Sequence, residues 1–194
     1  MYECKYPHLF EPIQVGSRIF RNRIFNSPTG THYQTVHALP VEDAIAYYER
    51  KAVGGAASVC VGDACVDSEL SFHGTQHIAL DDWYHGKAHM SKLAQAINRH
   101  GAVSSIELVH GGSAATGSYQ SGHTVYGPVA CSNTARGTTT VAEEMPEEII
   151  QRTIEKFYIA AQTAKAWGFG MVTIHGGHSW LLSQFMSPTL NTRK

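Results

Sequence analysis

The feature that most constrains the fold is a regular alternation of short extended runs with longer amphipathic ones, each pair closed by glycine. Residues 9–22, LFEPIQVGSRIFRN, hold a turn signal at Gly16-Ser17 between two short extended runs and read as a β-hairpin. Residues 23–27 read as a strand stopped by Pro28, with Gly30 at the following turn. Residues 41–53 have helical spacing, with Ala44, Ile45, Tyr48 and Ala52 on one face and Gly54-Gly55 as the stop. Residues 58–61 form a second buried strand ending at Gly62. Residues 83–99 form a second helix with Ala88, Leu93, Ala96 and Ile97 as its apolar side. Residues 103–108 make a third strand. Pro146, Glu147 and Glu148 open a third helix, whose inner face is Ile150, Ile154, Phe157, Ala161 and Ala164. Residues 171–174 make a fourth strand. Repeated strand-helix units of this kind build a parallel sheet with helices outside, an α/β fold. The pattern alone fits either an open doubly wound sheet or a piece of a barrel.

Length and charge narrow the choice. At 194 residues the chain is long enough for one real core. It is short for a closed eight-stranded barrel of about 250 residues. A net charge of −1 leaves no basic footprint for nucleic acid. No apolar run approaches the roughly 20 residues of a membrane span, and the N-terminal residues lack the apolar core of a secretory leader. The four cysteines form no CxxC pair, so the expectation is a reduced, cytoplasmic protein with Cys60 packed as a small hydrophobe. Most of the twelve histidines are scattered singly and are expected to face solvent. The segment 111–142, rich in Gly, Ser and Thr without a sustained period, is expected to be a long functional or mobile loop.

The chemistry gathers near the C-terminus, in MVTIHGGHSWLLSQFMSPTLNTRK. The run Val172-Thr173-Ile174 leads into His175-Gly176-Gly177-His178. Two imidazoles three residues apart on a glycine turn at a strand end can converge on one ligand atom, where α/β barrels place their active sites. A zinc pair and a plain loop pair are the alternatives; zinc requires a third ligand, and neither HExxH nor CxxC is present to supply one. Gly168-Phe169-Gly170 precedes its strand instead of following one, so it is no dinucleotide fingerprint. Gly111, Gly112, Ser113 and Gly117 lack the GK[ST] of a phosphate loop.

Four segments in order resemble the Old Yellow Enzyme family of NADH:flavin oxidoreductases. LFEPIQVG with RNRIFNSPTGT looks like its opening hairpin and first strand. YYERKAVGG is similar to its first helix and turn, IELVHGG to its third strand, and HGGHSWLLSQFMSP to its most diagnostic segment. The resemblance implies a partial TIM (β/α)8 barrel, in which residues 1–194 are the N-terminal half of a flavin-binding barrel: the hairpin plus about four βα units. It implies FMN as cofactor, NAD(P)H as electron donor and an activated C=C bond of an unsaturated carbonyl compound as substrate. Later strands supply most of the flavin phosphate site in that family. A homo-oligomer or a partner chain is then expected to complete the barrel. The alternative is a non-catalytic half-barrel serving as a scaffold or subunit interface.

Residue by residue, the resemblance implies that His175 and His178 hydrogen-bond the substrate carbonyl over the flavin. Pro28, Thr29 and Gly30 would lie against the isoalloxazine ring, with Gly62 at or beside a position kept small for it; taken singly, plain turn chemistry is the better account of each of these four. Two positions depart from the family. Trp180 stands where tyrosine donates a proton to the substrate, and indole N–H is not a usable acid, so Trp180 either marks altered chemistry or packs over the barrel mouth. Glu107 stands where glutamine faces the flavin pyrimidine, and a carboxylate accepts hydrogen bonds there without donating them.

Overall fold

The computed structural model describes residues 4–30, 39–74, 78–81, 83–135 and 137–194. Strands β1 (Ile13–Val15) and β2 (Arg18–Phe20) pair antiparallel around Gly16, whose φ of 57° is the left-handed conformation the turn requires. Four parallel strands follow: β3 (Phe25–Thr29), β4 (Ser58–Cys65), β6 (Val103–Val109) and β10 (Met171–Ile174), in the spatial order β10-β6-β4-β3. A two-residue strand, β5 (Ile78–Ala79), pairs in parallel with the C-terminal end of β4. Spatial order follows chain order with no reversal. A doubly wound sheet reverses at a switch point, so this sheet is a barrel wall.

Helices α1 (Glu42–Val53), α2 (Trp83–Asn98) and α4 (Glu147–Ala166) cover the outer face. Strand residues Val59, Val61, Ile106 and Leu108 join Tyr48, Leu93, Ile97 and Trp167 in one core. The buried face of α1 is Ala44, Ile45, Tyr48 and Ala52, as the spacing predicts. On α2 the buried stripe runs through Met90, Leu93, Ala94 and Ile97, and Ala88 falls on the exposed side, contrary to expectation. On α4 the buried residues are Thr153, Ala160, Thr163 and Ala164, whereas Ile154 is 57% exposed. Ala164 is buried and Phe157 and Ala161 pack against the core, as the spacing predicts, and Ile154 is the predicted inner residue that turns away. Ile150, Ile154 and Phe157 line an open apolar groove of about 360 Å³ with Met145, Ile174, Leu181, Leu182 and Phe185.

Segment 111–142 is not a loop. It holds a 3₁₀ turn (Gly112–Ala114), helix α3 (Thr116–Gln120) and a three-stranded sheet of β7 (Val125–Gly127), β8 (Cys131–Ala135) and β9 (Thr138–Glu144), ordered β7-β9-β8. Only Ala115, Val125 and Ala142 form its apolar core. Polar groups hold the rest: Thr134 and Thr139 hydroxyls meet at 2.9 Å, and Thr140 donates to the Ser113 carbonyl at 2.6 Å. Strands stabilised through hydroxyls carry little apolar alternation, so a hydrophobic reading passes over them. Gly112 and Gly117 are packed against Gln184 and the Gly74 backbone, leaving neither open to a phosphate.

The opposite end of the sheet is closed by the hairpin exit. Arg21 donates to the carbonyls of His100 (2.6 Å), Ala52 (2.7 Å) and Ala56 (2.8 Å), tying together the loops that enter β4 and β6. Asn22 donates to Gly55 at 2.8 Å.

Candidate functional site

The inner face of the sheet is polar where the outer face is apolar. Alternation along β6 turns Ile106 and Leu108 toward the helices and Ser105 and Glu107 the other way. Thr173 of β10 pairs in register with Glu107, and its hydroxyl meets Ser105 at 3.1 Å and the Cys60 thiol at 3.6 Å. Burial pushes the Cys60 thiol pKa up, so it stays protonated. It behaves as the small packed group anticipated.

At the C-terminal edge this polar row ends in a cluster. Glu107 Oε1 lies 2.7 Å from His175 Nδ1, with both side chains about one-tenth exposed. His178 Nδ1 lies 3.1 Å from His175 Nε2, and the two rings are parallel within 5°. Trp180 packs its indole on His175 at 4.4 Å and on His73 at 3.7 Å between ring centroids. Four predicted site residues, Glu107, His175, His178 and Trp180, are thus brought into one cluster. Trp180 packs against both imidazoles of the cluster.

Backbone geometry explains how His178 gets there. His178 and Ser179 both have left-handed φ, 53° and 55°. Such non-glycine residues cost about 1–3 kcal/mol each and persist only where surroundings hold them. Gln184 of α5 (Leu181–Met186) provides that hold: it donates to the Ser179 carbonyl at 2.6 Å and accepts from Ser113 N–H at 3.1 Å. Ser183 donates to the Trp180 carbonyl at 2.9 Å.

The predicted turn residues fall differently. β3 does not stop at Pro28 but runs through it to Thr29, on the last strand of the sheet order, where a missing N–H costs no ladder bond. Gly62 does not end β4 either. It sits inside the strand at a register shift between Val61 and Ala64, and a Cβ there would stand 2.7 Å from Thr29 backbone atoms. Glycine is needed at Gly62 for this close approach. Tyr48, whose phenol pKa is raised by burial, donates to the Thr29 carbonyl. Thr31 lies outside the described residues.

Sequence reading missed Asp63 and His73. Asp63 follows the bulge with φ of 60°; its N–H faces Glu107 Oε2 at 3.4 Å, and its carboxylate lies 3.6 Å from His73 Nε2. A lone acid inside the apolar run of β4 was the available signal for Asp63. Nothing in the sequence marked His73. Of the described histidines, His73 and His110 are buried. Burial drops the His110 pKa to about 4, and its Nδ1 accepts from Gly112 N–H at 3.0 Å, so it is a neutral structural histidine. His32, His37 and His77 lie outside the described residues. Among the described residues, no group of three or more His, Cys, Asp or Glu side chains is placed to hold a metal ion. No described helix is long and apolar enough to cross a membrane.

A flat heteroaromatic ring at this edge would meet exposed Thr29, the Glu107 carboxylate and the imidazole pair, which fits a flavin's polar rim. The space that a Cβ on Gly30 would fill is held by the Asp63 carboxylate, so a ring seated against Gly30 requires Asp63 to turn aside.

The family model for NADH:flavin oxidoreductase / NADH oxidase proteins matches residues 8–194. A relative named NADH oxidase, from Thermoanaerobacter brockii, is 30% identical over 97% of this chain and 28% of its own. An NADPH dehydrogenase from Bacillus licheniformis is 30% identical over 96% of this chain and 53% of its own. The crystal structure of Old Yellow Enzyme from Pichia sp. AKU4542 superposes with a TM-score of 0.84 at 23% identity, covering 96% of this chain and 50% of that one, a likeness of fold. The chain thus spans about a quarter to a half of the length of these proteins.

Proposed function

The chain belongs to the NADH:flavin oxidoreductase / NADH oxidase family, an FMN-linked family that uses NAD(P)H, and on that premise we propose that it supplies the substrate-facing half of a cytoplasmic reductase of activated C=C bonds. Residues 1–194 act as the N-terminal half of a flavin-binding barrel. Small unsaturated carbonyl compounds are the substrate class. The observation that carries this reading is the pairing of His175 and His178, 3.1 Å apart and bonded to each other instead of both facing one ligand atom, at the sheet's C-terminal edge.

Reduction at the β-carbon moves negative charge onto the carbonyl oxygen. An N–H donor aimed at that oxygen lowers the barrier, and removing one such donor costs about 2.7–4 kcal/mol elsewhere. When bound, FMN supplies the hydride, drawn from NAD(P)H. Pro28, Thr29, Gly30 and Gly62 would line one side of it, and Glu107 would accept from a ring N–H. Trp180 packs against the imidazoles and cannot protonate carbon, so the second hydrogen comes from solvent or an imidazolium. The test is NAD(P)H oxidation by the FMN-loaded chain with a cyclic enone. His175→Ala and His178→Ala are each expected to lower turnover about 10²–10³-fold, with bound flavin unchanged. Full turnover in both would remove the assignment.

A second reading, a non-catalytic scaffold or interface, is favoured by one specific feature. The last strand, β10, leaves Ile174 50% exposed beside the apolar groove of α4 and α5. Unpaired edges and apolar patches promote association. A purified chain that is colourless and oligomeric supports this reading; a yellow one that releases flavin on heating supports the first.

A further inference from the structure

We infer that Glu107, His175 and His178 form a carboxylate–imidazole–imidazole relay in which Glu107 is a positioning residue that dictates where the ring protons sit. A carboxylate only accepts, so the 2.7 Å contact puts a proton on His175 Nδ1. The neutral His175 ring then presents a lone pair at Nε2. His178 Nδ1 stands 3.1 Å from that lone pair, so it must be the donor, and His178 Nε2 is left with a lone pair of its own. His178 is the exposed member of the pair.

The consequence inverts the simplest picture of two N–H donors facing a ligand oxygen. In its neutral form the relay offers a ligand an acceptor, suited to a hydroxyl. One added proton, taken up at His178 Nε2, converts that atom to a donor. A carbonyl becoming an oxyanion, or an oxygen anion, is therefore bound together with one proton. The relay itself stands on geometry; only this ligand consequence rests on the reading of His178 as substrate-facing.

Other groups packed against the relay leave this count intact. From β4, Asp63 offers its N–H to Glu107 Oε2, and its carboxylate turns toward His73. Cys60, also on β4, faces Thr173 through a thiol kept protonated by burial, with Lys51 of α1 acting on it electrostatically. Trp180 presents ring surface to both His175 and His178. The paired left-handed residues and the Gln184 clamp hold His178 over its neighbour.

The test is nitrogen-15 NMR of the imidazoles in the full chain, with signals assigned from His175→Ala and His178→Ala. At alkaline pH both rings are expected as the Nδ1–H tautomer, the minor form of a free imidazole. In Glu107→Leu, which removes the acceptor, His175 is expected to revert mainly to Nε2–H. Glu107→Gln, whose amide oxygen still accepts, is expected to keep a larger Nδ1–H fraction than Glu107→Leu. An Nε2–H tautomer on His175 in the unsubstituted protein overturns the relay, without recourse to any variant. So does a Glu107→Leu protein with the unsubstituted pattern. Correct tautomers with enone turnover indifferent to both histidines would sink the functional reading and leave the relay standing.

Discussion

The two ends of the parallel sheet are built on opposite principles. At the N-terminal end, one guanidinium joins three carbonyls and a short hairpin seals the strands. The left-handed residues there, Gly16, Gly55 and Gly101, are all glycines. At the C-terminal end, three non-glycine residues, Asp63, His178 and Ser179, hold left-handed backbone, and acids and imidazoles crowd one another. The first end spends its polar groups on closing the fold. The second spends stability on holding side chains where a ligand can meet them, the division seen across α/β barrels.

The sharpest way to break this contrast is at the sealed end. Arg21→Ala should cost about 3–4 kcal/mol of stability, since bonds from a charged donor are worth about 1.5–3 kcal/mol each and do not add fully. Urea unfolding measures it; a loss under 1 kcal/mol would show that the seal is incidental. His110 gives an effect nearly as large with a defined pH window. An unfolded histidine titrates near 6.5, and buried His110 only near 4. Between those values the unfolded chain binds more protons, so stability falls as pH drops from 6.5 to 4, by about 3 kcal/mol in all. His110→Asn keeps an acceptor for Gly112 N–H and should flatten that slope; an unchanged slope in thermal melts at stepped pH would assign it to other groups.

The ligand-facing end should respond more gently. Trp180→Tyr restores a phenol over the imidazoles and should raise enone turnover about tenfold, within what a positioned acid contributes. An unchanged rate would mean that the second hydrogen comes from elsewhere. The smallest expected effect is at Asp63. Asp63→Gly suits the left-handed backbone and frees the space beside Gly30, so FMN should bind a few-fold more tightly by fluorescence titration. Weaker binding would show that Asp63 supports the ring instead of crowding it.

What was legible in the sequence follows from periodicity and from spacing along one segment. The hairpin, four strands and three helices show themselves because burial against a sheet imposes periods of 2 and 3.6 on apolar residues. His175 and His178 show themselves because they are three residues apart on one glycine turn. The Ser- and Thr-rich sheet at 125–144 stayed hidden because hydroxyl bonds hold it, and these impose no apolar period. The bulge at Gly62, the exposure of Ile154 and the burial of His73 and His110 were also hidden. Each depends on which neighbour a distant segment presents. Sequence alone therefore determined the order and kind of the elements, and which residues could do chemistry. Only the tertiary structure decided that Glu107 bonds His175 across 68 positions, and that Asp63 stands against Gly30. The register between strands is a long-range choice, and no local pattern encodes it.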